Sequence, residues 1–232
     1  MGNAAMREIV LDTETTGLDP ADGHRIIEIG CVELLDQLPT GQTFQRYLNP
    51  ERLVLESERV HGIADVFLID KPLFAHIADE LIAFLGDAPI IMHNAGFDLK
   101  FLNYELRRVA RPTLPYARAI DTIEIAKAKL PGARYSLDEL CRRFGVDLSG
   151  RAKHGALLDA QLTAQIYLEL VGGRQTRLML APTDALIGAA TSEIRITRIR
   201  PEPLLPRVSD EEIAIHAAFI AGLGPQAVWN WT

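Results

Sequence analysis

Residues 9–14, Ile-Val-Leu-Asp-Thr-Glu, constrain the fold more than any other stretch of the chain. They read as a short apolar strand ending on two carboxylates, Asp12 and Glu14. Side chains two apart on a strand leave on the same face, so these acids project together at its end. Side by side they repel each other unless a cation neutralises them. Their hard oxygens suit Mg²⁺ or Mn²⁺ rather than zinc. A D-x-E triplet is also an ordinary solvated strand end, so the reading depends on what the rest of the chain brings to it.

Two more strands are expected at 25–35 and 42–48, which are rich in β-branched or aromatic residues. Gly17, Asp19-Pro20 and Asp22-Gly23 place a turn between the first two strands. Apolar residues at 73, 74, 77, 81, 84 and 85 predict a helix over 73–85. A short strand at 89–92 follows, then helices over 97–109, 120–129, 136–144 and 155–171. Ser136 with Glu139 three residues on is a capping box. A three-strand meander followed by alternating helix, strand and helix predicts an α/β fold, a mixed sheet flanked by helices. A ribonuclease-H-like five-stranded layout fits this order, with strand order resting partly on the motifs. Gly172-Gly173 ends the last helix, so 1–172 is expected to form one domain. Pro182, Pro201, Pro203 and Pro206 mark 173–208 as a linker. Ser209 and Glu212 then open an amphipathic helical run to about Leu223, within a tail spanning 209–232.

The net charge of −7 argues at first against a nucleic-acid partner. Its location changes that inference. Residues 1–172 hold 18 Lys+Arg against 25 Asp+Glu, whereas 173–232 hold six of each. Metal ions bound by such carboxylates would turn an acidic pocket into a phosphate receptor. Two cysteines, Cys31 and Cys141, oppose a disulfide scaffold or a four-cysteine zinc site. The chain reaches charge at Arg7 before any signal-peptide core, and no stretch approaches a membrane span. A cytoplasmic location is the expectation.

Two further elements carry chemistry. In HNAGFDLKFL, His93 to Leu102, Asp98 falls in the first turn of a helix that follows a strand. An acid there also simply complements the helix dipole. In KHGALLDAQLTAQIYLEL, His154 and Asp159 stand five residues apart, about 140° on an ideal helix. They would not share a helix face, so His154 is expected on the segment leading in. Asp159 is expected in the second turn, with Leu158, Leu162 and Ile166 spaced for the core. Histidine suits proton transfer because its pKa lies near operating pH. Four carboxylates around two divalent ions roughly 3.5–4 Å apart form the in-line displacement site of many phosphodiester enzymes.

LDTETTG, H-N-A-x-F-D and H-x-A-L-x-D, in that order from about Arg7 to Val171, resemble the DEDD 3′→5′ exonucleases of the histidine subtype. The tyrosine subtype has a shorter spacing before its last Asp. The resemblance implies Asp12, Glu14, Asp98 and Asp159 as ligands of two ions, Mg²⁺ or Mn²⁺, with Asp12 touching both. It implies His154 as the general base. VHGIAD (60–65) and RYSLDELCRRFGVD (134–147) look like the branch that proofreads for bacterial replicative polymerases. That branch implies a terminal-nucleotide pocket lined by Glu56 and His61, shaped by Asn94, and reached by Asp12 and Glu14. QTRLML (175–180) is similar to sliding-clamp-binding peptides, with Gln175, Leu178 and Leu180 as anchors. The end of the chain resembles the branch's polymerase-docking segment, and Trp229 and Trp231 are anchors of the kind enriched at interfaces.

The implied activity is removal of mispaired 3′ nucleotides from DNA as 5′-mononucleotides, with a small accessory subunit left open. The aromatic content of 6% suits gripping a frayed end rather than tracking a long single strand. The alternatives are a standalone exonuclease acting on RNA or short oligonucleotides, and a non-catalytic adaptor. The intact five-residue constellation opposes the adaptor.

Overall fold

Five strands form one mixed sheet in the order β3-β2-β1-β4-β5, and the functional residues gather at one end of its middle strand. The coordinates, a computed structural model, describe residues 5–54, 57–151, 153–172 and 209–222. β1 (Arg7–Thr15), β2 (Ile26–Leu35) and β3 (Leu38–Tyr47) make the antiparallel meander. β4 (Ile90–Met92) pairs parallel with β1, and β5 (Ala119–Asp121) parallel with β4. The helices are α1 (Glu58–His61), α2 (Asp65–Leu68), α3 (Phe74–Leu85), α4 (Ala95–Arg108), α5 (Thr122–Lys129), α6 (Leu137–Phe144) and α7 (Ala156–Val171). The chain divides after Leu178, and α8 (Asp210–Gly222) belongs to the second unit.

The period of two in β1 sorts its side chains between two layers. Ile9 and Leu11 join the core made with α3 and α4. Val10 joins the opposite core, with Ala160, Ala164 and Tyr167 of α7. Helix α7 can lie this close because β2 offers Gly30, opposite Asp12 in register. A Cβ at Gly30 would come within 2.2 Å of the Leu157 backbone nitrogen. A buried fork from Arg25 to Glu105, at 2.6 and 3.0 Å, ties the start of β2 to α4.

Two expectations are corrected. Ile120 and Asp121 lie in β5 rather than in the helix, which starts at Thr122. Three residues are too few to show a period, and Asp121 caps the helix by accepting from the Ile123 N–H at 2.8 Å. Helix α8 is capped as expected by the reciprocal Ser209–Glu212 bonds. It is not amphipathic: Ile213, Ile215 and Phe219 are all exposed, and at about 100° per residue Ile213 lies on the side opposite Ile215 and Phe219.

Candidate active site

Alternation along β1 aims its carboxylates. Asp12 and Glu14 share the parity of Val10 and face α7, while Thr13 faces α4. Thr13 there donates to Asp98 Oδ1 twice, from its backbone N–H at 3.0 Å and its hydroxyl at 2.7 Å. Asp98 occupies the first turn of α4, as expected. The loop before it is held by Asp121, whose carboxylate accepts from the N–H groups of Asn94 (3.2 Å) and Ala95 (3.0 Å). Asn94 takes up a left-handed conformation, φ +73°, which turns the chain from β4 into α4.

Asp159 approaches from the other layer. Gly155 caps α7, so Asp159 falls in the first turn and not the second. His154 sits outside the helix, as the spacing predicts, on a loop held by its N–H to the Val60 carbonyl at 3.3 Å. Ligand atoms of Glu14, His154 and Asp159 all lie within 4.8 Å of one another. His154 Nδ1 is 3.1 Å from Asp159 Oδ2. Glu28, opposite Glu14 in register, accepts from the Ala156 N–H at 3.1 Å and so pins the start of α7. Arg151 donates to both oxygens of Asp159, each at 2.6 Å.

The electrostatics follow from crowding acids in a confined place. Burial, then the charges of Asp98, Asp159, Glu14 and Glu28, hold the Asp12 carboxyl well above its ordinary range. Glu14 is pushed up to about 8 by burial and by Asp159 and Glu28. Asp98 is pushed up to about 7 by burial, against the bonds from Thr13. At Asp159 burial also pushes upward, but the hydrogen bonds from His154 and Arg151 outweigh it and the carboxyl is held low. The site is therefore short of positive charge everywhere except at Asp159. An all-oxygen set of this kind, joined by one imidazole, fits hard divalent cations.

A cavity of about 530 Å³ opens just past β1, lined by Thr16, Gly17, Leu18, His24, Ser57 and Val60 among others. His61 is buried behind it. Its Nδ1 accepts from the Ile63 N–H and its Nε2 bonds to Ser57 Oγ, both at 3.0 Å. Burial, Lys153 and His154 lower its pKa to about 4. Asn94 is exposed at the start of α4. Glu56, Gln175, Leu178, Leu180, Trp229 and Trp231 lie outside the described residues. Sequence reasoning missed Thr13, Glu28, Asp121 and Arg151. The parity of β1 could have shown that Thr13 faces the opposite layer.

Residues 9–167 match the family model described as Exonuclease. The chain is 46% identical over 223 residues to the DNA polymerase III subunit epsilon of Rickettsia conorii, covering 94% of this chain and 96% of that protein. To its Escherichia coli counterpart it is 45% identical over 244 residues, covering 99% and 100%. In fold it is similar to the nuclease domain of 3′hExo, a DEDDh family member solved with rAMP. That match has a TM-score of 0.64 and 23% identity, covering 75% of this chain and 95% of that one.

Proposed function

Because the chain belongs to the exonuclease family, in its DNA polymerase III epsilon branch, we propose that it proofreads DNA, removing mispaired 3′ nucleotides as 5′-mononucleotides. The observation that carries the chemistry is the meeting of Glu14, His154 and Asp159 within 4.8 Å, beside Asp12 and Asp98. Asp12, Glu14, Asp98 and Asp159 would hold two divalent ions, Mg²⁺ or Mn²⁺. Such ions, when bound, lower the pKa of water and neutralise charge on the reacting phosphate.

The chain's own residues do the rest. Thr13 and Asp121 fix Asp98 and its loop, and Glu28 and Gly30 seat α7 so that Asp159 faces β1. The His154 side chain is 48% exposed, so its ring can reach a water above the carboxylates and take its proton. The cavity past β1 receives the terminal nucleotide, with Ser57 in its wall backed by the buried His61, and Asn94 is assigned to nucleotide binding on the family resemblance. Glu56, which lies outside the described residues, is assigned to nucleotide binding on the family resemblance alone. Discrimination comes from fraying, since a mispaired end needs less unpairing energy to enter.

The matched length of the epsilon relatives runs through the tail, which supports a subunit role: 209–232 on the polymerase, 175–180 on the sliding clamp. Among the described residues no helix is long and apolar enough to cross a membrane. As a partner of a replicative polymerase the protein works in the cytoplasm. The test is Mg²⁺-dependent release of mononucleotides from single-stranded DNA. Asp12→Ala and His154→Ala are expected to abolish it, and wild-type rates in both would overturn the assignment.

A further inference from the structure

Arg151 takes no part in the chemistry above, yet it is the best-connected side chain at the site. It stands on the loop before α7 and is only 7% exposed. Its Nε donates to Asp159 Oδ1 and its Nη2 to Asp159 Oδ2, each at 2.6 Å. The same Nη2 lies 2.8 Å from His154 Nδ1, and Nη1 pairs with Asp138 in the first turn of α6. A guanidinium fork on a carboxylate is among the strongest side-chain pairings a protein makes.

This fork engages both oxygens of the acid that would also serve a metal ion. A divalent cation needs at least one of those oxygens, and at contact distance it repels the guanidinium. Arg151 has somewhere to go, because the Asp138 side chain is 41% exposed at the edge of the site. We propose that Arg151 and a divalent ion hold Asp159 in alternation. Arg151 is a positioning residue that keeps the Asp159 carboxylate and the His154 loop in register. It yields an Asp159 oxygen toward its Asp138 anchor as the ion binds. The alternation couples the last metal ligand and the general base to α6 through a single side chain. The inference rests on the reading of Asp159 as a metal ligand.

A purely structural ion pair and an alternating one differ in sign. If Arg151 only supports Asp159, removing it leaves metal binding unchanged or weakens it. If the two alternate, removing it strengthens binding. The experiment titrates the full chain with Mn²⁺ alone and reads free Mn²⁺ by electron paramagnetic resonance, with no substrate present. Arg151→Gln is expected to bind Mn²⁺ about tenfold more tightly than wild type, the ordinary effect of losing one charge-assisted competitor. Arg151→Lys keeps the charge but loses the fork, so its affinity is expected to fall between the two. It decides the matter if Arg151→Gln does not fold. Unchanged or weaker Mn²⁺ binding in the folded variants overturns the proposal. Asp12→Ala serves as the control. If it binds Mn²⁺ as wild type does, the metal site itself is misassigned and the proposal falls for that separate reason.

Discussion

Replacing Gly30 by alanine should disable the site from beneath without touching a functional side chain. The new Cβ would lie 2.2 Å from Leu157 N, 2.3 Å from the Ala156 carbonyl carbon and 2.4 Å from Leu157 Cα. All three are backbone atoms in the first turn of α7, so no rotamer change relieves the overlap. Ordinary contact begins near 3.4 Å, so α7 must lift by about 1.2 Å, or β2 must sink by as much. Asp159 rides on that turn, and the Glu28 cap on Ala156 loosens with it. Overpacking of this kind costs about 1–3 kcal/mol of stability. An ångström of misplacement at a reacting centre costs about a hundredfold in rate. Gly30→Ala is therefore expected to lower the melting temperature modestly and kcat by about two orders of magnitude, read from mononucleotide release under saturating Mg²⁺. A variant with wild-type kcat would refute the argument that the seating of α7 on Gly30 places Asp159, whatever happened to its stability.

Other outcomes follow from the same geometry. Thr13→Val removes the 2.7 Å hydroxyl bond to Asp98, a charge-assisted contact worth about 1.5–3 kcal/mol. It should raise the Mg²⁺ concentration needed for half-maximal activity, while circular dichroism shows an unchanged fold. In EDTA, stability should fall as pH rises from about 4.5 to about 8. Folding raises the carboxyls of Glu14 (to about 8) and Asp98 (to about 7), so the native state holds protons there that the unfolded chain has released. Thermal melts at pH 5 and pH 8 check this, and added Mn²⁺ should flatten the slope. A flat profile in EDTA would contradict the crowding of these acids. Removing 209–232 should leave nuclease activity intact but end co-purification with the polymerase subunit, and continued co-purification would contradict the docking role of the tail.

Much of the site was legible because it obeys short-range geometry. The period of two places Asp12 and Glu14 on one face, and the offset of five keeps His154 off the helix that carries Asp159. Asp98 could be placed because the apolar period of α4 fixes where its first turn begins. What supports these residues was not legible. Glu28 meets Glu14 only through the β1–β2 register, and then reaches Ala156, 128 residues away. Arg151 looks like one more loop arginine until the fold brings α6 and α7 together around it. The place of the fifth strand was missed because three residues carry no period, and its pairing with β4 overrode the local helix pattern. The apolar content of α8 suggested a stripe, but its residues are distributed around the axis. The acidic surplus was the least reliable guide, since it argued against a nucleic-acid partner until Asp12, Glu14, Asp98 and Asp159 could be seen to converge.

The central claim is that those four carboxylates close around two divalent ions at the end of β1. Crystals soaked with Mn²⁺ and a 5′-mononucleotide, measured at the manganese absorption edge, test it directly. Two anomalous peaks roughly 3.5–4 Å apart are expected, with Asp12 touching both and the nucleotide phosphate beside them. A structure with the nucleotide bound but no manganese among Asp12, Glu14, Asp98 and Asp159 would contradict it.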